Sequence, residues 1–365
     1  MVLKWKLYIT AKKYFWLLLA LFLMFLRFVG GWYPQLIEVY YSRGFFLIIR
    51  GLIDYTIAAL PIPMFYLFFA GFFLKKIHYF RKSYQKNISF KERLFHSGFH
   101  ILQFTSIIIV WFLVSWGFNY GRLSIEEQLG LQLEKPSEEH LLSEVQWATK
   151  KALDLRELVN EDTFALDEKL LPRDLEKEMR TSLEEVLEEL GYPNFGRVRA
   201  RQLYPKGILL RLKTAGIYWF FVGEGNLDAG LHPLQKPFTM AHEMAHGYGF
   251  GDEGTCNFLA YLACLKSNQT YVRYAGMLTY WRYIAGEYRY RNPEKYVLFK
   301  AEHLSSGMKN DLTAIYENGD KYPDFFPKLR NQTYDSYLKL QGIEDGIENY
   351  NRVILLVDAW KRLDG

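Results

Sequence analysis

Residues 237–265 read PFTMAHEMAHGYGFGDEGTCNFLAYLACL and contain the most informative pattern in the chain. Pro237 can begin a helix, and no helix-breaking residue follows it before the four glycines between 247 and 254. These glycines predict a reversal of the chain, after which an almost wholly apolar run predicts a second, buried helix. Cys256 and Cys264 are too far apart on such a helix for a disulfide, which predicts two small buried side chains.

Three residues of the first helix form the pattern HExxH. His242 and His246 are one helical turn apart on the same face, where both imidazoles can reach a single zinc ion. Glu243 is placed to take a proton from a metal-bound water and later to pass it to a leaving amine. Because the neighbouring residues are apolar, the helix is predicted to be buried, and buried histidine and glutamate side chains need partners. The pattern therefore predicts a zinc site with Glu243 as catalytic base.

A catalytic zinc ion needs a third protein ligand, and Glu253 at the start of the second helix is the best candidate. Asn257 lies one turn further along the same face and is predicted to hydrogen-bond a ligand histidine. Alternatives remain open for both. Asp252 is a rival ligand, Glu253 is also explained as an acid at a helix N-terminus, and Asn257 as a satisfied polar residue in a packed helix.

The order HExxH followed by Glu-x-x-x-Asn on the next helix resembles the gluzincin clan of zinc peptidases. In that clan the glutamate is the third ligand and the Asn or Asp supports a histidine. The chain resembles more closely a bacterial membrane family of unknown function with a zinc-peptidase-like domain. The matching segments are IEVYYS (37–42), GFNYGR (117–122), GEGN (223–226), PFTMAHEMAHGYGF (237–250), NFLAYLAC (257–264) and YDSYLKLQGIEDGIENYNRV (334–353).

The resemblance spans nearly the whole chain and implies a three-span anchor followed by a peptidase-like domain. It supplies no substrate. Where the family has an acidic, alanine-rich stretch (EDEAN) between the ligand glutamate and the asparagine, this chain reads EGTCN. The position of the ligand is kept.

Three apolar runs near the N-terminus, about 14–29, 52–74 and 99–118, approach the ~20 residues that a membrane-crossing helix needs. No small-x-small cleavage site follows the first run, which favours a retained anchor over a cleaved signal peptide. Asp54 in the second run is expected either at the membrane interface or paired inside the helix bundle.

Basic residues set the predicted orientation of these spans. They are frequent before the first run and between the second and third runs, and sparse between the first and second. The N-terminus is therefore predicted in the cytoplasm, and three crossings place the rest outside the bacterial inner (cytoplasmic) membrane. Residues 1–122 form the predicted anchor and 123–365 the extracytoplasmic domain. A short apolar run near Ile354 predicts a core helix instead of a fourth span.

The second domain is predicted to be a mainly helical, α+β zincin-like domain with a small antiparallel sheet. Helical periodicity dominates up to about residue 191, and three strand-like segments, RVRARQLY, GILLRLK and GIYWFFVGEG, follow. The last of these is predicted either as an ordinary core strand or as an edge strand that pairs with an extended peptide substrate.

A peptidase also needs a group that stabilises the oxyanion. Tyr350 and Arg352 are the candidates, on the basis of the family resemblance and their chemical type, and a structural role is the open alternative for both. His303 is a further candidate, whereas His140 and His232 are predicted to be surface residues.

The sequence thus predicts a membrane-anchored zinc metallopeptidase whose partners are a peptide or protein substrate and the lipid bilayer. The net charge is +5, but no basic stripe interleaved with aromatic residues occurs, so nucleic-acid binding is not expected. The alternative is a non-catalytic zinc-binding membrane protein with a structural or sensory role, against which the intact Glu243 argues. An intramembrane protease is disfavoured because polar segments, QKPFT and GDEG, flank HExxH.

Overall fold

The computed structural model describes residues 2–84, 90–325, 336, 338–341, 343, 349 and 351–364, which form two compact units. The first unit comprises Met1–Leu123 together with Trp219–Val222, and the second comprises Ser124–Tyr218 and Gly223–Gly365. The first unit therefore ends where the charged part of the sequence begins, and it also takes in a short apolar segment of the later chain.

The described part of the first unit is helical. Its elements are α1 (Val2–Gly30), α2 (Pro34–Leu36), a π-helix (Ile37–Phe45), α3 (Phe46–Asp54), α4 (Met64–Tyr84), α5 (Phe90–Ser115) and a 3-10 helix (Gly117–Gly121). Lys91–Ser115 is long and apolar enough to cross a membrane. Tyr14–Gly30 and Pro34–Asp54 meet the same criteria together, but they are bent by 115° at their junction. Among the described residues, one or two helices could therefore span a membrane.

The second predicted span, about 52–74, does not form a single helix. Helix α3 ends at Asp54 and α4 begins only at Met64. Pro61 and Pro63 lie in this break, and each removes a backbone donor and disfavours helix at the preceding residue. Of the two positions expected for Asp54, the structure shows the paired one: its carboxylate lies 3.2 Å from Arg50 Nε, and both side chains are buried.

The short segment Trp219–Val222 is packed among aromatic side chains of the first unit. The ring centroid of Trp219 lies 5.5 Å from that of Phe65, and the ring centroid of Phe221 lies 4.7 Å from that of Phe68. Phe220 lies 4.7 Å from Phe112 in the same way. A fragment that began at residue 124 would therefore lack the phenylalanines on which this segment packs, and experiments need the full chain.

The second unit is mainly helical, as predicted, with a small sheet. Its longer elements are α6 (Ile125–Leu129), α7 (Glu138–Val159), α8 (Leu175–Glu189), β1 (Arg199–Leu203), β2 (Gly216–Trp219), β3 (Glu224–Asp228), α9 (Lys236–Gly247), α10 (Glu253–Lys266), α11 (Thr270–Arg291), α12 (Pro293–His303), α13 (Ser306–Asp320) and α14 (Val353–Asp364). Side-chain caps begin several of these helices, such as Ser137 at α7 and Asp174 at α8. Gly191, with φ of +74°, follows the end of α8 in the left-handed conformation.

Helix α10 lies at the centre of the core and packs against α8, α9, α11 and α14. Its side chains are buried on all sides, as predicted for an apolar helix of this kind. Cys256 and Cys264 are both small buried side chains on this helix, as predicted. The apolar run near Ile354 forms α14, whose buried residues include Val353, Leu356 and Val357, so it is a core helix.

The sheet has three strands in the order β1-β3-β2, and the predicted antiparallel arrangement is wrong for one pair. Strands β1 and β3 are parallel, with Arg199 opposite Glu224 and Leu203 opposite Asp228. The predicted strand GILLRLK is instead a crossover that contains the 3-10 helix Leu210–Leu212. The buried carboxylate of Asp228 explains this crossover.

Asp228 accepts hydrogen bonds from the backbone N–H groups of Gly207, Leu209 and Leu210 at 2.7, 2.7 and 3.0 Å, and from Gly230 at 2.7 Å. The backbone donors that a strand would offer to a neighbouring strand are thus used by one side chain. The segment curls around the carboxylate instead of pairing as a strand, and the chain rejoins the sheet at β2 before β3 pairs with β1 in parallel.

Candidate metal centre

Helix α9 presents both histidines of HExxH on one face. Pro237 lies in its first turn, where its missing N–H costs nothing, and the residues that follow are buried almost without exception. The Nε2 atoms of His242 and His246 lie 3.1 Å apart. The four-residue spacing therefore directs both ring nitrogens at one point inside the protein.

Glu253 joins this pair from the first turn of α10. Its Oε2 atom lies 3.1 Å from Nε2 of His242 and 3.4 Å from Nε2 of His246. The three ligand atoms are all within 4.8 Å of one another, and all three side chains are buried. Gly249, with φ of +86°, is part of the reversal between the helices that makes this approach possible.

The other ring nitrogens of the two histidines are held by acceptors. Nδ1 of His242 lies 2.8 Å from Oδ1 of Asn257, and Nδ1 of His246 lies 2.8 Å from the backbone oxygen of Phe250. A backbone oxygen only accepts, so Nδ1 of His246 carries the proton, and the amide oxygen of Asn257 imposes the same tautomer on His242. In the neutral rings the Nε2 atoms then carry lone pairs that face a carboxylate oxygen.

Three lone-pair donors that converge without a proton between them repel one another, unless a cation or an added proton joins them. Burial alone would lower the pKa of His246, but the carboxylate of Glu253 raises it well above its usual value. Burial would likewise raise the pKa of Glu253, but the two histidines hold it well below its usual range. Two imidazoles and one carboxylate are also the ligand set of many catalytic zinc sites, so these residues fit a zinc ion.

Cys256 lies beside the site. Its Sγ atom is 3.3 Å from Nδ1 of His246 and 3.4 Å from the backbone oxygen of Phe250. Burial raises the pKa of this thiol to about 11, so it remains protonated at neutral pH. A protonated thiol packs against the imidazole as a small side chain, whereas a metal ligand would need to be the thiolate.

Glu243 is buried against the sheet, and two glycines make room for it. A Cβ atom at Gly216 in β2 would lie 2.6 Å from Oε1 of Glu243, and one at Gly225 in β3 would lie 2.8 Å from its Cβ. Burial raises the pKa of Glu243 to about 7, although the two neighbouring histidines act to lower it. Neither glycine is among the site residues predicted from the sequence. Their position inside strands was the available signal, since glycine there often marks a close approach of another group.

The remaining predicted residues lie in different places. Asp252, the rival ligand, caps α10 by accepting from Thr255 N at 2.7 Å, while Arg352 Nη1 donates to it at 2.7 Å. Tyr350 lies outside the described residues. His303 is exposed, and the side chain of His140 is 41% exposed. The surface prediction is wrong for His232, which is buried: burial lowers its pKa to about 4, and its Nδ1 accepts from Leu234 N.

The fold and the site define a mainly helical protein with a buried group of possible metal ligands, two from the HExxH helix and one from the helix that follows. One or two of its described helices could span a membrane. The family described as "Protein of unknown function (DUF3810)" matches residues 41–357. The chain therefore belongs to the DUF3810 family, which agrees with the predicted membership of an uncharacterised family. No curated protein and no solved structure matches the chain.

Proposed function

We propose that this chain is a membrane-anchored zinc metallopeptidase, in which His242, His246 and Glu253 hold the zinc ion and Glu243 is the catalytic base. Zinc bound there would polarise the scissile carbonyl and lower the pKa of a coordinated water. The observation that carries the proposal is the convergence of three lone-pair donors, with both remaining imidazole nitrogens already held by acceptors.

Glu243 supplies the proton transfers. Its carboxylate takes a proton from the attacking water and delivers it to the leaving nitrogen as the C–N bond breaks, which yields a carboxylic acid and an amine. A pKa of about 7 suits a group that must accept and then release a proton near neutral pH. Asn257 keeps His242 in the tautomer that leaves Nε2 available for the metal.

The proposed substrate is a peptide or a protein. Strand β2 is at an edge of the sheet, and its Gly216 lies directly against Glu243. An extended peptide that added to this edge would therefore lie beside the base, with its backbone held by main-chain hydrogen bonds.

The proposed location is the bacterial inner membrane, with three crossings, a cytoplasmic N-terminus and an extracytoplasmic catalytic domain. The distribution of basic residues supports this orientation, and the one or two described helices that could span a membrane support an attachment to the membrane. Protease added to intact spheroplasts should cleave the part of the chain after residue 123. Cleavage only after the membrane has been permeabilised would contradict the orientation.

The peptidase proposal is tested by comparing wild type with Glu243→Gln, using the full chain in detergent micelles. Glu243→Gln keeps the size of the side chain but removes the base, so zinc content should be unchanged while hydrolysis of a peptide library falls by about 100- to 10,000-fold. Glu157→Gln, which alters an exposed glutamate of the same unit, is the matched control and should cleave like wild type. Wild type that holds zinc but cleaves no faster than Glu243→Gln would refute catalysis.

That last outcome would support the second candidate, a non-catalytic zinc protein with a structural or sensory role. One observation favours this candidate: the exposed fractions of His242, Glu243, His246 and Glu253 are only 6, 5, 7 and 3%. A catalytic zinc ion must admit water and substrate to an open coordination position, so such low exposure favours a site that does not turn over a substrate.

A further inference from the structure

A short segment near the C-terminus contacts both residues that flank Glu253. The side-chain amide of Asn349 donates from Nδ2 to Oδ2 of Asp252 at 2.8 Å. Its Oδ1 accepts from the backbone N–H of Gly254 at 2.8 Å. One amide group therefore bridges the positions before and after the proposed ligand, and Asn349 is itself only 3% exposed.

Arg352 adds a second contact from the same segment. Its Nη1 donates to Oδ1 of Asp252 at 2.7 Å, and its Nη2 pairs with Glu126. The segment also packs closely on the helix: a Cβ atom at Gly254 would lie 2.6 Å from Cβ of Arg352 and 2.9 Å from the backbone oxygen of Asn349. Position 254 thus has no room for a side chain unless Asn349 and Arg352 move away.

These contacts satisfy polar groups at the start of α10 that would otherwise hydrogen-bond to water. The N–H of Gly254 is one of the first four of α10, which have no partner inside the helix. Asp252 already caps Thr255, so its carboxylate ties the helix start to both Asn349 and Arg352. The first turn of α10, which carries Glu253, is fixed in place by residues about 100 positions away in the chain.

We propose that Asn349 and Arg352 are positioning residues that hold Glu253 against His242 and His246 and so set the affinity of the site for zinc. This inference rests on the proposed function, since it concerns the third ligand of that same site. Without the bridge, the first turn of α10 can fray, and the Glu253 carboxylate loses its fixed distance to the two imidazoles. Groups that orient a ligand typically contribute about 10- to 100-fold to metal affinity.

The test measures zinc dissociation constants by competition with a chelator, using the full chain in detergent micelles. Asn349→Ala removes both amide contacts and should weaken zinc binding at least about tenfold. Arg352→Gln should weaken it by a smaller factor, and Arg352→Lys, which keeps the positive charge near Asp252, should recover part of the loss. Ser137→Ala is the matched control, because it removes the cap of α7, which carries none of the proposed ligands.

Thermal unfolding of the metal-free proteins separates positioning from general stability. The proposal expects Asn349→Ala to lose far more zinc affinity than Ser137→Ala at a comparable loss of melting temperature. Equal zinc affinity of wild type, Asn349→Ala and Arg352→Gln would overturn it. If Asn349→Ala does not fold, the Arg352 pair decides alone, and unchanged affinity in Arg352→Gln overturns the proposal. The zinc affinity of wild type is measured first. Wild type that binds no zinc would refute the proposed function, and this outcome is distinct from any difference between wild type and the variants.

Discussion

The described part of the second unit holds two clusters in which one histidine or more and nearby carboxylates bring ligand atoms within 4.8 Å of one another. The HExxH cluster is His242, His246 and Glu253, and the C-terminal cluster is His140, Glu144 and Asp358. By proximity alone the two clusters are equivalent candidates for a metal site.

Their surroundings distinguish them. In the C-terminal cluster, Nζ of Lys361 lies 2.7 and 2.8 Å from the two carboxylate oxygens of Glu144. Arg362 lies 3.4 Å from Asp358, whose other oxygen is 2.6 Å from the ring of His140. Ammonium and guanidinium groups thus already neutralise these carboxylates. In the HExxH cluster the lone pairs face one another, so this cluster suits a cation better. The charges around the two clusters distinguish them, whereas the distances between their ligand atoms do not.

The content of bound zinc should change most. His246→Ala removes one of three converging ligands and should abolish stoichiometric zinc in the purified full chain, whereas His140→Ala should leave it at wild-type level. Elemental analysis of both variants beside wild type makes this measurement. Loss of zinc from His140→Ala with retention in His246→Ala would reverse the comparison between the clusters.

The HExxH cluster can be predicted from the sequence because its residues lie close together in the chain. The spacing of His242 and His246 on one helix face, and the buried character of α10, depend on residues within a few turns of each other, and both are present as predicted. Glu253 lies across a short glycine-rich reversal, so its approach to the histidines could also be expected.

Contacts that join distant segments could not be predicted in this way. The parallel pairing of β1 with β3 depends on Asp228, whose hydrogen bonds turn a strand-like sequence into a crossover. The bridge from Asn349 to Asp252 joins segments with no common pattern. The predicted second span failed for a related reason, since hydropathy averaged over the window does not register the break that contains Pro61 and Pro63.

The second largest change is expected in the rate of peptide hydrolysis when the proposed base, Glu243, is displaced. The C-terminal cluster has no proposed base. Gly216→Ala places a methyl group 2.6 Å from Oε1 of Glu243, so the carboxylate must shift. A displacement of the carboxylate by about 1 Å should lower peptide hydrolysis by about 100-fold with zinc content unchanged. Gly286→Ala is the control, because a Cβ there meets nothing within 4 Å. Equal hydrolysis by Gly216→Ala and wild type would show that the position of Glu243 is not critical.

A moderate loss of stability is expected when the ammonium group beside Glu144 in the C-terminal cluster is removed. Lys361→Met leaves Glu144, which is 8% exposed, without its ammonium partner and should lower the free energy of unfolding by about 2 kcal/mol. Lys295→Met breaks an ion pair with Glu138 of the same length, 2.7 Å, but in an exposed position, and should change stability little. Urea denaturation of the two variants compares them, and equal losses would mean that burial of Glu144 does not matter.

The smallest change is expected in the pH dependence of stability, and it concerns His232, which belongs to neither cluster. His232 is buried, and burial lowers its pKa to about 4, whereas a histidine in the unfolded chain has a pKa of about 6.5. As the pH falls below about 6.5, the unfolded state takes up a proton that the folded state refuses, so stability decreases until about pH 4. Allowing for partial solvent screening, the loss between pH 7 and pH 5 should be about 1 kcal/mol larger in wild type than in His232→Asn. Asparagine does not titrate and can still accept from Leu234 N, as Nδ1 of His232 does at 3.3 Å. If both proteins lose stability equally over this range, His232 is protonated in the folded state, and burial alone does not keep a histidine of this protein neutral.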